Sequence, residues 1–311
     1  MIAVYKNNMK KILLLTTLSL ITCAGFSQEK KDEAKQPWTH ATNVSLLFNQ
    51  ASFNDKWQGG GTSSYAVNFG LTHDANYSKD NITWDNRIVI DYGIANQKDQ
   101  EFTRKTNDRF QVNSLVGKEI KESLWYYSFS LNIRTQLASG YDFGEDQNGG
   151  TTRTETTKIL SPGYIRAGLG LLWKKDENLK INIAPTTARL IIVNSQFTNV
   201  GSNQSEIEAF NQVGYFGVKA NETSRIEFGA AIGAYGKFTL LENVVLENVL
   251  NLYSNYLENA QNVDIDYTAN LVMSVNKWIT ANVTFQAMYD DNAVKGLQIR
   301  ETLGLGITYG F

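Results

Sequence analysis

The last fifteen residues, Leu297 to Phe311, read LQIRETLGLGITYGF. Every second residue back from the end is apolar or aromatic: Phe311, Tyr309, Ile307, Leu305 and Leu303. Between them stand Gly310, Thr308, Gly306, Gly304 and Thr302, all small or polar. A strand turns successive side chains to opposite faces, so this period of two describes a strand lying between two different media. Its backbone donors and acceptors need partners, and strands of the same two-faced kind must supply them.

Twelve stretches of the chain alternate in this way. They lie at about 42–49, 64–77, 82–94, 107–118, 124–137, 164–173, 179–192, 225–240, 244–256, 263–275, 278–290 and 297–311. The seventh starts cleanly with Leu179, Ile181 and Ile183 and loses its phase at Pro185, where a bulge is expected. Residues 214–220 also look strand-like; counting them would make the number odd, so they are assigned to a loop. Short connections at 79–81, 120–123, 174–178, 241–243 and 276–277 alternate with longer ones at 50–63, 96–106, 138–163, 193–224, 257–262 and 291–296. Trp84, Trp125, Trp173 and Trp278, with Tyr77, Tyr309 and Phe311, lie at the short-turn end, as in an aromatic girdle. The expected fold is all-β: a transmembrane antiparallel β-barrel of about 12 strands, with short turns and both termini in the periplasm and long loops outside. A soluble β-sandwich would explain neither the two loop classes nor the terminal Phe.

Mean hydropathy is −0.30, which argues against helical membrane spans. It does not argue against a barrel, whose lipid-facing residues are diluted by polar ones facing the lumen. Of only three prolines, Pro185 alone falls in a predicted strand, as suits a strand-rich chain. A net charge of −2 is too balanced for a nucleic-acid-binding protein. Lys6, Lys10 and Lys11 precede the apolar run Ile12 to Ile21 and then Cys23-Ala24-Gly25-Phe26-Ser27, the pattern of a secretory signal. The expected organisation is a signal peptide over 1–27, with Met9 as an alternative start, a charged periplasmic tail over 28–41 and the barrel over 42–311. Cys23 is the single cysteine, so the exported chain has no disulfide and no Cys-ligated metal.

The terminal Phe with aromatic and apolar residues at alternate positions resembles the assembly signal of bacterial outer-membrane barrels. Further stretches are spread from end to end: Asn49-Gln50-Ala51-Ser52-Phe53 followed by Trp57 and Gly59-Gly60; Arg104-Lys105-Thr106-Asn107-Asp108; Thr135-Gln136 with Gly140-Tyr141; Pro162-Gly163-Tyr164; Ser254-Asn255-Tyr256; Val263-Asp264-Ile265-Asp266; and Tyr289-Asp290-Asp291. In this order they resemble the Bacteroidetes outer-membrane family known as domain of unknown function 3078. The resemblance implies an outer-membrane barrel and assigns no catalytic residues.

The chemistry candidates are few. The exported chain has only His40 and His73. His73 shares a face with Leu71 and Ala75, so it is expected to face lipid near the turn end, where a membrane-embedded hydrolase would hold a histidine. Such an enzyme needs a nucleophile on a neighbouring outward face. Val44, Leu46 and Phe48 on one side, and Trp84, Asn86 and Ile88 on the other, supply no serine. The expectation is therefore no enzyme, no cofactor and no transition-metal site. In 141–150, carboxylates and amides could offer calcium its oxygen ligands, but without EF-hand spacing, and a solvated loop is the simpler reading. Gln58-Gly59-Gly60-Gly61 lacks the Lys-Ser/Thr of a phosphate loop.

The lumen is more informative. The candidate lumen-lining residues are Asp85, Arg87, Asp91, Arg109, Arg134, Arg166, Arg225, Glu247, Asp264, Asp266, Asp290 and Arg300, with Asp74, Glu227, Lys180 and Lys237 on the same face. Their signs are balanced and mixed. They either pair across a narrow lumen, because an unpaired buried charge is costly, or line a wet pore. Glu301 and Arg189 are expected on the outward face, near the loop ends of their strands. A narrow pore for small hydrophilic solutes is the leading expectation; a closed barrel acting through its loops is the alternative, and a lipid-facing hydrolase comes last. Outer-membrane lipid and the barrel-insertion machinery are the expected partners; the pattern is silent on oligomeric state.

Overall fold

The computed structural model describes residues 36–54, 56, 61–98 and 100–311. The expected signal peptide, residues 28–35 of the expected tail, and the segment Gln58-Gly59-Gly60 lie outside them. One compact unit runs from Pro37 to Phe311. Its strands are β1 (Trp38–Ala51), β2 (Ser64–Lys79), β3 (Ile82–Gln97), β4 (Arg104–Glu119), β5 (Trp125–Thr135), β6 (Gly140–Glu145), β7 (Thr151–Thr157), β8 (Gly163–Asp176), β9 (Leu179–Ile192), β10 (Ser224–Leu241), β11 (Val244–Asn255), β12 (Val263–Ser274), β13 (Ile279–Asp290) and β14 (Val294–Gly310). Twelve of them close into one antiparallel barrel in the order β1-β14-β13-β12-β11-β10-β9-β8-β5-β4-β3-β2, while β6 and β7 form a separate hairpin. The barrel begins at Trp38 rather than at residue 42, because β1 pairs there with Tyr77 of β2.

Closure pairs the first strand of the barrel with the last. β1 and β14 are in register from Asn43↔Gly310 to Phe48↔Leu305. Thr42 N–H donates to the Phe311 carbonyl at 2.8 Å and Phe311 N–H donates back at 3.0 Å. A Cβ on Gly306 would lie 2.0 Å from the Leu46 carbonyl oxygen, so only glycine lets the strands approach this closely. Gly306→Val is expected to abolish closure, read as loss of the fast-migrating folded band in unheated detergent gels. A full folded band would refute the steric argument.

The barrel is inside-out relative to a soluble fold. Leu303, Leu305, Ile307 and Tyr309 are each 46–62% exposed on the outer surface, and Phe311 is 70% exposed. Seven apolar side chains are buried among the described residues, too few for an ordinary core. Near the short turns, Trp278 stacks on Tyr309 at 5.0 Å, and Trp38 meets Trp84 and Tyr77 at 5.5 and 5.2 Å. No described helix is long and apolar enough to cross a membrane.

The expected bulge in β9 is real. Between Leu169 and Leu171 of β8 the β9 partner moves from Thr186 to Ile183, and between Gly229 and Ala231 of β10 it moves from Thr187 to Ala184. Both neighbours thus count one extra residue around Pro185, which has no N–H to give a ladder. The insertion inverts the phase of the rest of β9. Arg189, expected on the lipid face, is turned inward and is buried beside Thr187 and Ile191. Glu301 remains outward and exposed, opposite Phe285.

Residues 138–163, read as a loop, carry the β6–β7 hairpin. It is pinned to the rim by the Arg104 guanidinium, 3.4 Å above the Phe143 ring, and by Arg153 between the Phe102 and Tyr141 rings at 4.8 and 4.7 Å. Asp146 accepts from the Asn148 and Gly150 N–H groups, so it serves its own turn. In the next loop a short helix, α1 (Gln204–Asn211), precedes residues 214–220, which remain outside the sheet. Tyr215 and Phe216 instead pack on Ile191, Val193 and Val218 at the barrel mouth, and the Tyr215 hydroxyl donates to the Thr156 carbonyl at 2.6 Å.

Candidate functional site in the barrel lumen

Inward positions bring acids and bases together from strands far apart in the ring. At the turn end Asp85 of β3 receives Lys174 of β8 at 2.8 Å and Lys180 of β9 at 2.6 Å. Lys174 also meets Thr83 at 2.9 Å. Higher up, Arg87 holds Asp74 through Nε at 2.7 Å and Nη2 at 3.1 Å, reaches the Tyr235 hydroxyl at 3.3 Å, and pairs with Glu247. β3 and β11 lie six strands apart in either direction round the ring, so the Arg87–Glu247 pair crosses the full lumen. Arg134 of β5 meets Asp266 of β12 at 2.7 Å, five strands away. Between these levels Arg109 pairs with Asp91 at 3.1 Å. At the loop end Arg189 bridges Glu227 at 2.5 Å and Asp264 at 2.6 Å, with its guanidinium 4.1 Å from the Tyr253 ring centre. Arg225 meets Glu227 at 2.9 Å and Glu258 at 2.7 Å on the rim.

The braces leave two spaces along the axis. The turn-side cavity, about 460 Å³, is lined by Asp74, Asp85, Arg87, Lys180, Tyr235 and Glu247 among others. The loop-side cavity, about 580 Å³, is lined by Arg134, Arg189, Asp264, Asp290 and Phe216 among others. Arg109, Arg166, Asn251, Asp266 and Arg300 border both and form the waist between them.

Of the sequence-derived candidates, Asp85, Arg87, Asp91 and Glu247 line the turn-side cavity and Arg134, Asp264 and Asp290 the loop-side one. Arg109, Arg166, Asp266 and Arg300 stand at the waist, whereas Arg225 lies on the rim. Sequence reasoning missed Arg189, because the bulge inverts its face. It also missed Lys174, which sits in β8 because that strand runs on to Asp176. The alternation Leu172, Lys174 against Leu171, Trp173 carried that signal. Asp264, Asp290 and Asp291 have carboxylate oxygens within 4.8 Å of one another, a grouping not legible from spacing; Arg189 already balances part of its charge.

The outer surface corrects one further expectation. Thr42, on the same face as Val44 and Leu46, points outward beside His73, and its Oγ1 lies 2.9 Å from His73 Nδ1. The face supplies no serine, but this threonine hydroxyl does reach the histidine. The ring of His73 stacks against His40 at 5.9 Å. Among the described residues no carboxylate bonds to His73, so the pair lacks the orienting third group of a nucleophilic triad. Close by, Trp84 Nε1 donates to Ser114 Oγ at 2.8 Å and Ser114 donates to Asn86 Oδ1 at 2.8 Å. Both groupings are closed hydrogen-bond sets that satisfy polar atoms on an apolar face.

Comparison with known proteins adds the following. A family described as a protein of unknown function (DUF3078) matches residues 48–141, which include β2 to β5. None of the curated proteins matches the chain. Among solved structures, the translocator domain of the autotransporter NalP from Neisseria meningitidis is 9% identical, with 98% of each chain covered and a TM-score of 0.39. The COG4313 outer membrane channel from Pseudomonas putida F1 is 9% identical, covering 92% of this chain and 100% of that one, with a TM-score of 0.39. The outer membrane channel DcaP of Acinetobacter baumannii is 10% identical, covering 88% and 96%, with a TM-score of 0.30. The strand order of the present barrel stands on its own hydrogen-bond registers.

Proposed function

We propose that the chain is an outer-membrane β-barrel that passes small hydrophilic solutes through a narrow lumen braced by ion pairs. The observation that carries this is the inverted distribution of polarity: an apolar outer wall with an aromatic girdle encloses a charged interior with two cavities end to end. A wall of that kind suits lipid outside and water inside. On this reading the girdle and short turns face the periplasm, with both termini there, and the long loops face outward. The partners are outer-membrane lipid and, during assembly, the barrel-insertion machinery.

A second reading has its own support. Arg87–Glu247 and Arg134–Asp266 join opposite walls, as braces of a closed barrel acting through its loops would do. The deciding measurement is single-channel conductance of the refolded, exported chain in a planar bilayer. Discrete steps are expected for the pore. A folded, heat-modifiable and silent protein would remove the pore reading and leave the loops as the working surface.

A further inference from the structure

Ion pairing in the lumen is incomplete at the waist. Of the cations bordering both cavities, Arg109 is matched by Asp91, and the one acid there, Asp266, is taken by Arg134 and by Gln286 at 3.2 Å. Arg166 and Arg300 have no carboxylate partner among the described residues. Arg166 has one hydrogen bond, to Asn251 Oδ1 at 3.3 Å. Arg300 has one, to the Thr106 carbonyl at 3.4 Å, and its Nε is buried without a partner. The two residues stand on β8 and β14, six strands apart and so on opposite walls of the ring.

A guanidinium is a planar fork of five donors that matches the paired oxygens of a carboxylate or phosphate. Two such forks, half-buried and nearly unused, carry positive charge that no ion pair offsets and that an anion would. We propose that Arg166 and Arg300 form a binding site for a small anion bearing a carboxylate or phosphate group, placed where a solute moves from one cavity to the other. The site is small by its surroundings: the spaces on either side, about 460 and 580 Å³, suit a compact solute rather than a polymer. This inference names the solute class for the pore reading and rests on that reading for its role in passage, though not for binding itself.

The test uses the full exported chain in detergent, with inorganic phosphate or succinate titrated at constant ionic strength and thermal unfolding as the readout. A saturable rise in midpoint is expected for at least one anion, and the anion that saturates at lower concentration identifies the preferred group. Arg166→Gln and Arg300→Gln should each weaken the rise and together abolish it, whereas Arg153→Gln, on the rim hairpin, should retain it. Should the glutamine variants fail to fold, Arg166→Lys and Arg300→Lys keep the charge without the fork and should weaken the rise. A wild-type midpoint that does not respond, or a response that survives loss of both forks, overturns the site. A midpoint shift in a protein that conducts nothing keeps the site and removes the pore. Conduction without any shift removes the site and keeps the pore.

Discussion

Replacing Arg189 with methionine is expected to destabilise the barrel by about 3–5 kcal/mol, the usual cost of leaving one member of a buried ion pair unmatched. Glu227 beneath it is 1% exposed and Arg189 itself 8%. Arg225 would still reach Glu227 at 2.9 Å, so the loss should fall at the lower end of that range. The substitution also leaves Asp264 facing Asp290 and Asp291 without its cation. Urea unfolding of the barrel in lipid vesicles measures the effect. The sign discriminates between two placements of one residue. On the lipid face near a strand end, loss of a charge would be neutral or stabilising by about 1 kcal/mol at most. A neutral or more stable Arg189→Met variant would therefore refute the phase inversion at Pro185.

Glu247→Ala should widen the lumen at its main cross-brace. Arg87 would remain tied to Asp74 on the adjacent strand, so only the strut to the opposite wall is removed. Stability is expected to fall by about 1.5–3 kcal/mol, the scale of a hydrogen bond to a charged group. Single-channel conductance should rise several-fold over wild type. If wild type is silent, the variant should begin to conduct. Equal conductance in the two proteins would show that Arg87–Glu247 does not limit the passage.

Both predictions depend on where side chains point, and this was partly legible in the sequence. The strands and the two classes of connection followed from alternation and an even count, because lipid and lumen demand opposite residues at successive positions. β14 shows it best: Leu303, Leu305, Ile307 and Tyr309 all face outward as the pattern requires. Failures occurred where a local event reset the count. One extra residue at Pro185 moved Arg189 from the lipid face to the loop-end ion cluster. The first strand was cut short because Trp38-Thr39-His40-Ala41 is too polar to look like a membrane strand, yet it belongs at the girdle, where Trp38 meets Trp84. The hairpin β6–β7 escaped because Thr and charged residues give no contrast between faces when both are solvated. Pairing across the lumen was unreadable in principle. Arg87 and Glu247 are 160 residues apart in the chain, and only the closed ring brings them together.

The closing contact between Thr42 and Phe311 also has a consequence in time. The strand that completes the ring is the last of the barrel in chain order, and its partner is the first. The ring therefore cannot seal before β14 is in place: until then both edge strands offer unpaired amides, and the apolar outer wall has no closed barrel behind it. Contacts of such long range form slowly, and open edges of this kind are prone to aggregate. Sealing thus waits on the last strand of the ring, and the paired hydrogen bonds between Thr42 and Phe311 are the contact that completes it.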